Sequence, residues 1–262
     1  MPGLSDSTTG LAYGIGLQFQ TPIGGAGLVG GAWTPAQLPS LVSYYNVSIL
    51  SGNFVERTSP TTVTTVGGFI GTLRDQSTSA LNLVTTVDAK RPVLTLTSSI
   101  YYALFDGTDD NLRMTTTLAQ PMTRITAMQA VSWTINEVML DGGATDIARV
   151  YQIGSTPTIL VRGSAANIIT PSPMPAVGEW FVIAEVYNGA SSKVKINNNE
   201  WVTGNLGTSA PNGLTVGGRG DGAGAVYANM GFAGGVVTSN VMSDADVNLT
   251  IKYLGSLVGL SL

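Results

Sequence analysis

The chain of 262 residues contains no cysteine and no histidine. Without cysteine it cannot form a disulfide framework, a thiolate nucleophile or a cysteine-ligated zinc site. Without histidine it has neither the general base of a Ser-His-Asp triad nor an imidazole metal ligand. Two large classes of catalytic and metal-binding site are therefore excluded before any sequence pattern is considered.

Charge is also scarce in this sequence. Charged residues make up 11% of the chain, whereas a typical soluble domain has about 25%. There are 12 Lys and Arg against 16 Asp and Glu, and the net charge is −4. Proteins bind nucleic-acid backbones through clustered cationic side chains, so no nucleic-acid partner is expected. No apolar run reaches the roughly 20 residues of a bilayer span, so no membrane insertion is expected.

Residues 1–32 differ from the rest of the chain. Large apolar side chains alternate there with small or polar ones; they are Leu11, Tyr13, Ile15, Leu17 and Phe19. Alternation with a period of two is typical of a β-strand with one apolar face, and a Gly-rich stretch (24–32) follows it. The segment is predicted to be either a tail without structure or an anchoring arm that adds a strand to a neighbour or to a host surface. The alternation favours the arm.

From residue 33 onward, short β-forming runs alternate with turn signals such as Asp-Gly and Asn-Gly pairs. Many short strands separated in this way are typical of an antiparallel sandwich or jelly roll. The predicted strands are Val42–Val47, Thr61–Val66, Leu81–Thr86, Tyr101–Phe105, Arg124–Thr134, Val150–Ile153, Ile159–Arg162, Trp180–Val186, Lys193–Ile196, Leu214–Val216 and Met230–Thr238. Asn188-Gly189 and the Asn triplet 197–199 suit turn positions with positive φ.

The C-terminal segment is predicted to form one amphipathic helix over residues 244–258. Ser243 with Asp246 three positions later resembles a capping box, and Gly259 can end the helix. Apolar residues repeat at helical spacing; they are Val247, Ile251, Leu254 and Val258.

Four segments resemble, in the same order, the concanavalin A-like, laminin-G-type jelly-roll domains of bacteriophage structural proteins. They are WTPAQLPSLVSYYN (Trp33–Asn46), KRPVL with ALFDGTDDNLRM (Lys90–Met114), the hairpin GEWFVIAEVYNGASSKVKINNNEW (Gly178–Trp201), and LTVGGR with MSDADVNLTIKYLGSLVGL (Leu214–Leu260). The resemblance implies an all-β antiparallel jelly-roll sandwich over residues 33–262 with one C-terminal helix. The Gly-rich arm over residues 1–32 resembles segments that precede such domains in virion proteins. One fold hosts many functions, so the resemblance does not define an activity.

Three carboxylates cluster in the segment FDGTDDNL: Asp106, Asp109 and Asp110. Carboxylate oxygens are ligands for calcium, and some laminin-G-type domains use this ion. The spacing of an EF-hand is absent, however, and Asp-Gly is a common turn. The cluster is therefore either a structural turn, which is the favoured interpretation, or a calcium site.

The segment Gly217–Gly222 contains Arg-Gly-Asp within a Gly-rich stretch. It does not fit the phosphate-binding loop pattern, and no helix-opening pattern follows it. A mobile loop is the expected interpretation.

Related jelly-roll folds include glycosidases, which need two carboxyl groups across the sugar. Glycosidases of this fold carry a strand motif resembling E-x-D-x-x-E, and none of the five Glu residues forms it. Glu137 and Asp141 are four residues apart, but a surface or turn role is favoured for both. Trp180 lies in an alternating run and is predicted to be core, whereas Trp201 follows the Asn-rich turn and is a candidate glycan-binding residue.

The resemblance, taken with these observations, implies a non-enzymatic bacteriophage virion protein on the virion surface, and we expect a capsid decoration (cement or head-fibre) protein attached by its arm. The alternative is a tail-fibre or baseplate adhesin that binds host-surface glycans. Expected partners are the major capsid protein or other virion proteins, and further copies of the chain. A trimer is expected because several short arms bind more strongly than one. No cofactor is expected apart from calcium.

Overall fold

The computed structural model describes residues 32–55, 62–63, 65–85, 87–134, 136–142, 147–154, 158–222, 224 and 226–262. Residues Trp33–Leu262 form one compact unit. The predicted anchoring residues Leu11, Tyr13, Ile15, Leu17 and Phe19 lie outside the described residues. No helix in the described part of the chain is long and apolar enough to cross a membrane.

The described residues form two antiparallel sheets and one C-terminal α-helix, which confirms the predicted all-β sandwich. The strands are β1 (Leu41–Asn46), β2 (Asn53–Phe54), β3 (Thr72–Leu73), β4 (Leu83–Val84), β5 (Val93–Thr97), β6 (Ile100–Asp106), β7 (Leu112–Thr115), β8 (Met122–Ala130), β9 (Val138–Asp141), β10 (Arg149–Gln152), β11 (Ile159–Ser164), β12 (Asn167–Ile169), β13 (Trp180–Tyr187), β14 (Ser192–Ile196), β15 (Val202–Gly204), β16 (Gly213–Val216) and β17 (Asn229–Thr238). The α-helix, α1, is Asp244–Leu257, and short 3₁₀ turns are Pro35–Gln37, Leu50–Gly52, Asp88–Lys90 and Gly189–Ser191.

The two sheets have different strand orders, and the helix α1 packs on one of them. Sheet A has the strand order β15-β14-β13-β8-β17-β6-β5, and β1 also pairs with β17. Sheet B has the order β12-β11-β10-β9-β16-β7-β4-β3-β2. The helix α1 packs on β8, β13 and β17 of sheet A, so the unit Trp33–Leu262 has three layers: α1, sheet A and sheet B.

The central strands β8, β13 and β17 of sheet A are buried on both faces, because their side chains alternate between two apolar clusters. Along β8, Met128 belongs to the cluster between the sheets, whereas Ile125 and Ala127 belong to the cluster beneath α1. Ile251 and Leu254 of α1 are fully buried in that second cluster. Central strands buried on both faces read as nearly continuous apolar runs, and this explains the sequence WFVIAEVY of β13.

The structure confirms the predicted ends of α1. The Ser243 hydroxyl accepts a hydrogen bond from the Asp246 backbone N–H at 3.1 Å and donates one to the Asp246 carboxylate at 2.7 Å. Gly259 has φ +73°, and the Leu260 N–H bonds to the Gly255 carbonyl at 2.9 Å. This is the hydrogen-bonding pattern of a Schellman motif, for which glycine is favoured.

The predicted strands agree with the structure except for one. Each of the others overlaps an observed strand, but Thr61–Val66 is wrong: among its described residues, Thr62 forms an isolated bridge with Phe54. The prediction also missed seven strands of at most five residues each, namely β2, β3, β5, β7, β9, β12 and β15. Strands this short carry too few alternating positions to stand out from flanking loops.

A charged pair lies between the two sheets. Arg124 on β8 faces Glu185 on β13 across the ladder, and the Arg124 Nη2–Glu185 Oε2 distance is 2.6 Å. Tyr187 donates a hydrogen bond to the Glu185 carboxylate, and Arg124 donates another to the Ala148 carbonyl at 2.9 Å. The side chains of Arg124 and Glu185 are 2% and 0% exposed. These bonds offset the cost of removing two charges from water.

We predict that removing one partner of this pair destabilises the protein more than replacing the whole cluster with apolar side chains. Glu185→Leu should lower the free energy of unfolding by about 3–5 kcal/mol, because it leaves the Arg124 guanidinium buried without its counter-charge. The triple variant Arg124→Met, Glu185→Leu, Tyr187→Phe should recover most of that loss. Urea denaturation of the three proteins measures both effects. A single variant that loses less than about 1 kcal/mol, which is the value of an exposed pair, would contradict the prediction.

Candidate functional site

A cavity of about 420 Å³ lies between the β14–β15 connection and the N-terminal half of α1. It combines one indole ring with amide, ammonium and carboxylate groups. Its lining residues are Lys195, Asn198, Asn199, Glu200, Trp201, Asp244, Asn248 and Lys252. We call this the Trp201 cavity.

The Asn-rich turn determines where Trp201 lies. Asn197 has φ +53°, which confirms the predicted use of the Asn triplet at a left-handed position. Its side-chain oxygen accepts a bond from the Val182 N–H at 2.8 Å, and its own N–H bonds to the Val182 carbonyl at 2.7 Å. Asn199 donates a side-chain bond to the Ile196 carbonyl at 2.8 Å. The turn is thus fixed to the end of β14, and Trp201 follows it directly before β15.

Two lysine side chains of β14 hold the indole ring. The Lys193 and Lys195 ammonium nitrogens lie 4.3 Å and 4.9 Å from the Trp201 ring centroid, within the range of cation–π attraction. Lys193 also pairs with Asp244 at 2.9 Å, and Lys195 bonds to Asn248 at 2.9 Å. The loop, β14 and α1 are therefore joined around one aromatic side chain.

The lysines set the electrostatics of the cavity. The hydrogen bond from Lys193 holds the pKa of the Asp244 carboxyl below its ordinary value, so this group is ionised at neutral pH. Burial lowers the pKa of the Lys195 ammonium, and nearby Asp244 opposes that shift. The rim thus presents both hydrogen-bond donors and acceptors to a ligand.

Sequence reasoning singled out Trp201 but not its partners. Three of the four lysines in the chain lie on this surface: Lys193, Lys195 and Lys252. Each contacts or faces a group there that is at least 51 residues away in the sequence. The alternation of Lys193 and Lys195 on one strand was the available signal, because residues two apart share a face. Nothing in the sequence alone pairs that face with α1.

The structure brings the three predicted calcium ligands together. One carboxylate oxygen from each of Asp106, Asp109 and Asp110 lies within 4.8 Å of the others. The same carboxylates bind the local backbone: Asp106 accepts from the Thr108 N–H at 2.7 Å, and Asp110 accepts from the Asp106 N–H at 3.1 Å. Gly107 has φ +76°, as its Asp-Gly turn predicts. These contacts are those of a structural turn, and calcium binding stays a prediction.

The other candidate residues have separate surroundings. Glu137 accepts a bond from the Thr134 N–H at 3.1 Å, and Asp141 pairs with Arg149 at 3.2 Å. Both carboxylates are buried rather than exposed at the surface. Trp180 is half-buried in the cluster beneath α1, with its ring 5.2 Å from that of Tyr102 in an edge-on arrangement.

No protein-family model matches the chain, and no curated protein sequence matches it. Solved structures do share its fold. A GH54 α-L-arabinofuranosidase matches with a TM-score of 0.60 and 15% identity over 83% of this chain and 63% of that chain. Trypanosoma rangeli sialidase gives 0.54 and 10% over 83% and 33%. The binding domain of botulinum neurotoxin serotype D/C gives 0.51 and 12% over 84% and 53%.

These neighbours establish a β-sandwich of the jelly-roll type found in glycan-binding and glycan-cleaving proteins. The chain spans less than two thirds of the length of these neighbours. They contradict the prediction that the chain is not an enzyme, because glycoside hydrolases are among the proteins built on this fold. That prediction rested on the absence of one strand motif.

We predict that Asp110 weakens the fold when it is ionised. Burial, together with the charge of Asp106, raises the pKa of Asp110 to about 6 from its ordinary value of 3.8. A raised pKa stabilises the folded state at low pH, and this contribution is lost as the pH rises through about 6. Asp110→Asn should therefore raise the free energy of unfolding at neutral pH by about 1 kcal/mol.

Denaturation of both proteins at several pH values checks this, because the difference should disappear below the ordinary pKa of the carboxyl. An Asp110→Asn protein less stable than the parent at neutral pH would contradict it. The same samples test calcium: a melting temperature raised by the ion in the parent but not in the variant would identify a cation site.

Proposed function

We propose that this protein is a glycan-binding β-sandwich adhesin of a virion, and that its sugar site is the Trp201 cavity. The observation that carries the proposal is the side-chain set around that cavity: one indole ring, three asparagine amides and two lysines. Trp201 was already the candidate glycan-binding residue on sequence grounds.

The chemistry of a sugar fits this combination. A pyranose ring has an apolar face, which can cover an indole ring, and a rim of hydroxyls that both donate and accept hydrogen bonds. Asparagine offers two N–H donors and a carbonyl acceptor on one planar group, and lysine adds donors. Ligand sites typically combine apolar area with a few placed polar groups of this kind.

The rigidity of the cavity also supports a binding role. Trp201 is joined to Lys193 and Lys195, and these lysines are joined to Asp244 and Asn248 of α1. A site whose side chains are ordered before the ligand arrives loses less conformational entropy on binding. The polar groups are thus held in place by the fold.

Structures with the same fold give general support for carbohydrate recognition. An arabinofuranosidase with a TM-score of 0.61 was obtained with arabinofuranosyl-α-1,2-xylobiose. A botulinum neurotoxin type C structure with a TM-score of 0.50 concerns interaction with two ganglioside molecules. These ligands belong to those proteins, and the ligand of this chain is proposed as a class only.

The virion setting is a further part of the proposal. Residues 1–32 would attach the protein to the major capsid protein or another virion protein by strand addition. A trimer would present three Trp201 cavities, so weak sugar binding would gain from multivalency. Capsid decoration stays the alternative placement for the same attachment.

Replacement of the indole ring tests the sugar site. Trp201→Ala should weaken binding of the full-length protein to host-surface polysaccharide by about tenfold or more, because it removes the central aromatic contact. Trp133→Ala is the matched control, since Trp133 is half-buried but lines no part of the cavity. Affinity electrophoresis gives the binding, and circular dichroism confirms that both variants fold.

Asn198→Ala is a second probe, because Asn198 lies on the exposed rim of the cavity. It should weaken binding less than Trp201→Ala does, in keeping with the loss of one amide. Polysaccharide binding that survives Trp201→Ala would refute the Trp201 cavity as the sugar site.

The virion placement has a separate test. Removal of residues 1–32 should abolish binding to purified particles while leaving the melting temperature of the remaining compact unit unchanged. Quantitative mass spectrometry of intact particles then gives the copy number relative to the major capsid protein. A few to a few tens of copies support the adhesin, hundreds support capsid decoration, and absence from particles refutes both.

A further inference from the structure

A second cavity lies on sheet B, on the face directed away from sheet A. A polar row crosses the strands there, because Thr215 on β16 pairs with Arg113 on β7 and with Asp141 on β9. Asp141 in turn pairs with Arg149 on β10 at 3.2 Å. Leu214 and Val216, the neighbours of Thr215, belong to the core between the sheets, so Thr215 points outward.

The segment Gly217–Gly222 covers part of this row and is attached to it. The Gly220 N–H donates to the Asp141 carboxylate at 3.1 Å, and its carbonyl accepts from the Arg113 guanidinium. A Cβ atom on Gly218 would lie 2.7 Å from the Tyr227 ring, so glycine is needed where the loop passes that ring. The loop, the row and Tyr227 enclose a cavity of about 210 Å³.

Thr215 lines this cavity and carries a buried hydroxyl. Thr215 is 1% exposed, and its Oγ1 makes no hydrogen bond among the described residues. A buried polar atom without a partner costs free energy in most proteins and calls for an explanation. A ligand that enters the cavity and bonds to Oγ1 would explain this unpaired atom.

The charges around the cavity favour an anionic ligand. Among the described residues, Lys90, Arg113 and Arg219 line it, against one acidic residue, Asp221, which pairs with Arg219 at 2.6 Å. The local excess is positive although the whole chain has a net charge of −4. A volume of about 210 Å³ equals the share of about seven waters in the liquid, which is more than a small inorganic anion fills.

We propose that this second cavity binds a carboxylate-bearing sugar residue of an acidic polysaccharide. The carboxylate lies near Lys90 and Arg113, a ring hydroxyl pairs with Thr215 Oγ1, and the sugar ring rests against Tyr227. This site is independent of the Trp201 cavity, so its failure would leave the proposed function unaffected.

The test uses full-length ¹⁵N-labelled protein and three probes: D-glucuronate, D-glucose and acetate. D-Glucuronate differs from D-glucose by a carboxylate in place of a hydroxymethyl group, and acetate supplies the carboxylate alone. D-Glucuronate should shift the backbone amide signals of Gly220 and Gly222 in a saturable manner, and the other two should not. Equal shifts with D-glucose or with acetate would overturn the proposal, and so would no shift with D-glucuronate.

A pair of threonine variants assigns the site. Thr215→Val should weaken D-glucuronate binding by about tenfold, as expected when a hydrogen bond within a charged site is lost. Thr72→Val is the matched control, because Thr72 is also buried in sheet B with an Oγ1 that has no partner among the described residues, and it lies outside the cavity. Both variants should melt at or above the parent temperature, since each removes a buried unpaired hydroxyl.

Equal binding by Thr215→Val and Thr72→Val would overturn the proposal. Lys90→Gln removes one charge at the rim and should weaken D-glucuronate binding by a smaller factor of about three. The Trp201→Ala protein should bind D-glucuronate as the parent does, and a loss in that protein would show that the shifts come from the other cavity.

Discussion

Strand β17 must bond to three other strands and separate two apolar clusters, and its glycines make this possible. A Cβ atom on Gly234 would lie 2.6 Å from the Tyr45 carbonyl oxygen, and one on Gly231 would lie 2.9 Å from the Trp180 ring. With these side chains absent, β17 pairs with β8 on one side and with β6 and β1 in succession on the other. The position of α1 on sheet A, and therefore of the Trp201 cavity, follows from this close packing.

The sequence predicted most of sheet A because its strands are long and rich in β-branched and aromatic residues. Trp180–Tyr187 and Asn229–Thr238 were predicted to within one residue at each end, and the capping residues Ser243 and Gly259 located α1. Sheet B was harder to predict. Its strands β2, β3 and β4 have two residues each, and their pairing depends on long-range contacts that local patterns do not encode.

The candidate sites were predictable to different degrees, because the sequence shows which residues are close along the chain but not which distant residues the fold brings together. Asp106, Asp109 and Asp110 are close in sequence, so their proximity in space could be foreseen. Trp201 was recognised from the turn before it, but its contacts with α1 could not be. Thr215 gave no signal at all: a threonine in a strand is ordinary, and its unpaired hydroxyl becomes evident only when the loop around Gly220 is placed over it.

Charge is scarce in this chain, and several of its cations have defined local partners. Lys195 and Lys252 line one cavity of the sandwich, Lys193 lies over the indole ring of the same cavity, and Lys90, Arg113 and Arg219 line another. A net charge of −4 means that long-range attraction does not draw acidic ligands to the protein, because its overall field has the same sign as theirs. Recognition at either surface must therefore come from short-range contacts with side chains that the two sheets hold in place. That requirement explains why these cations occur beside aromatic rings and amides instead of being distributed over the surface.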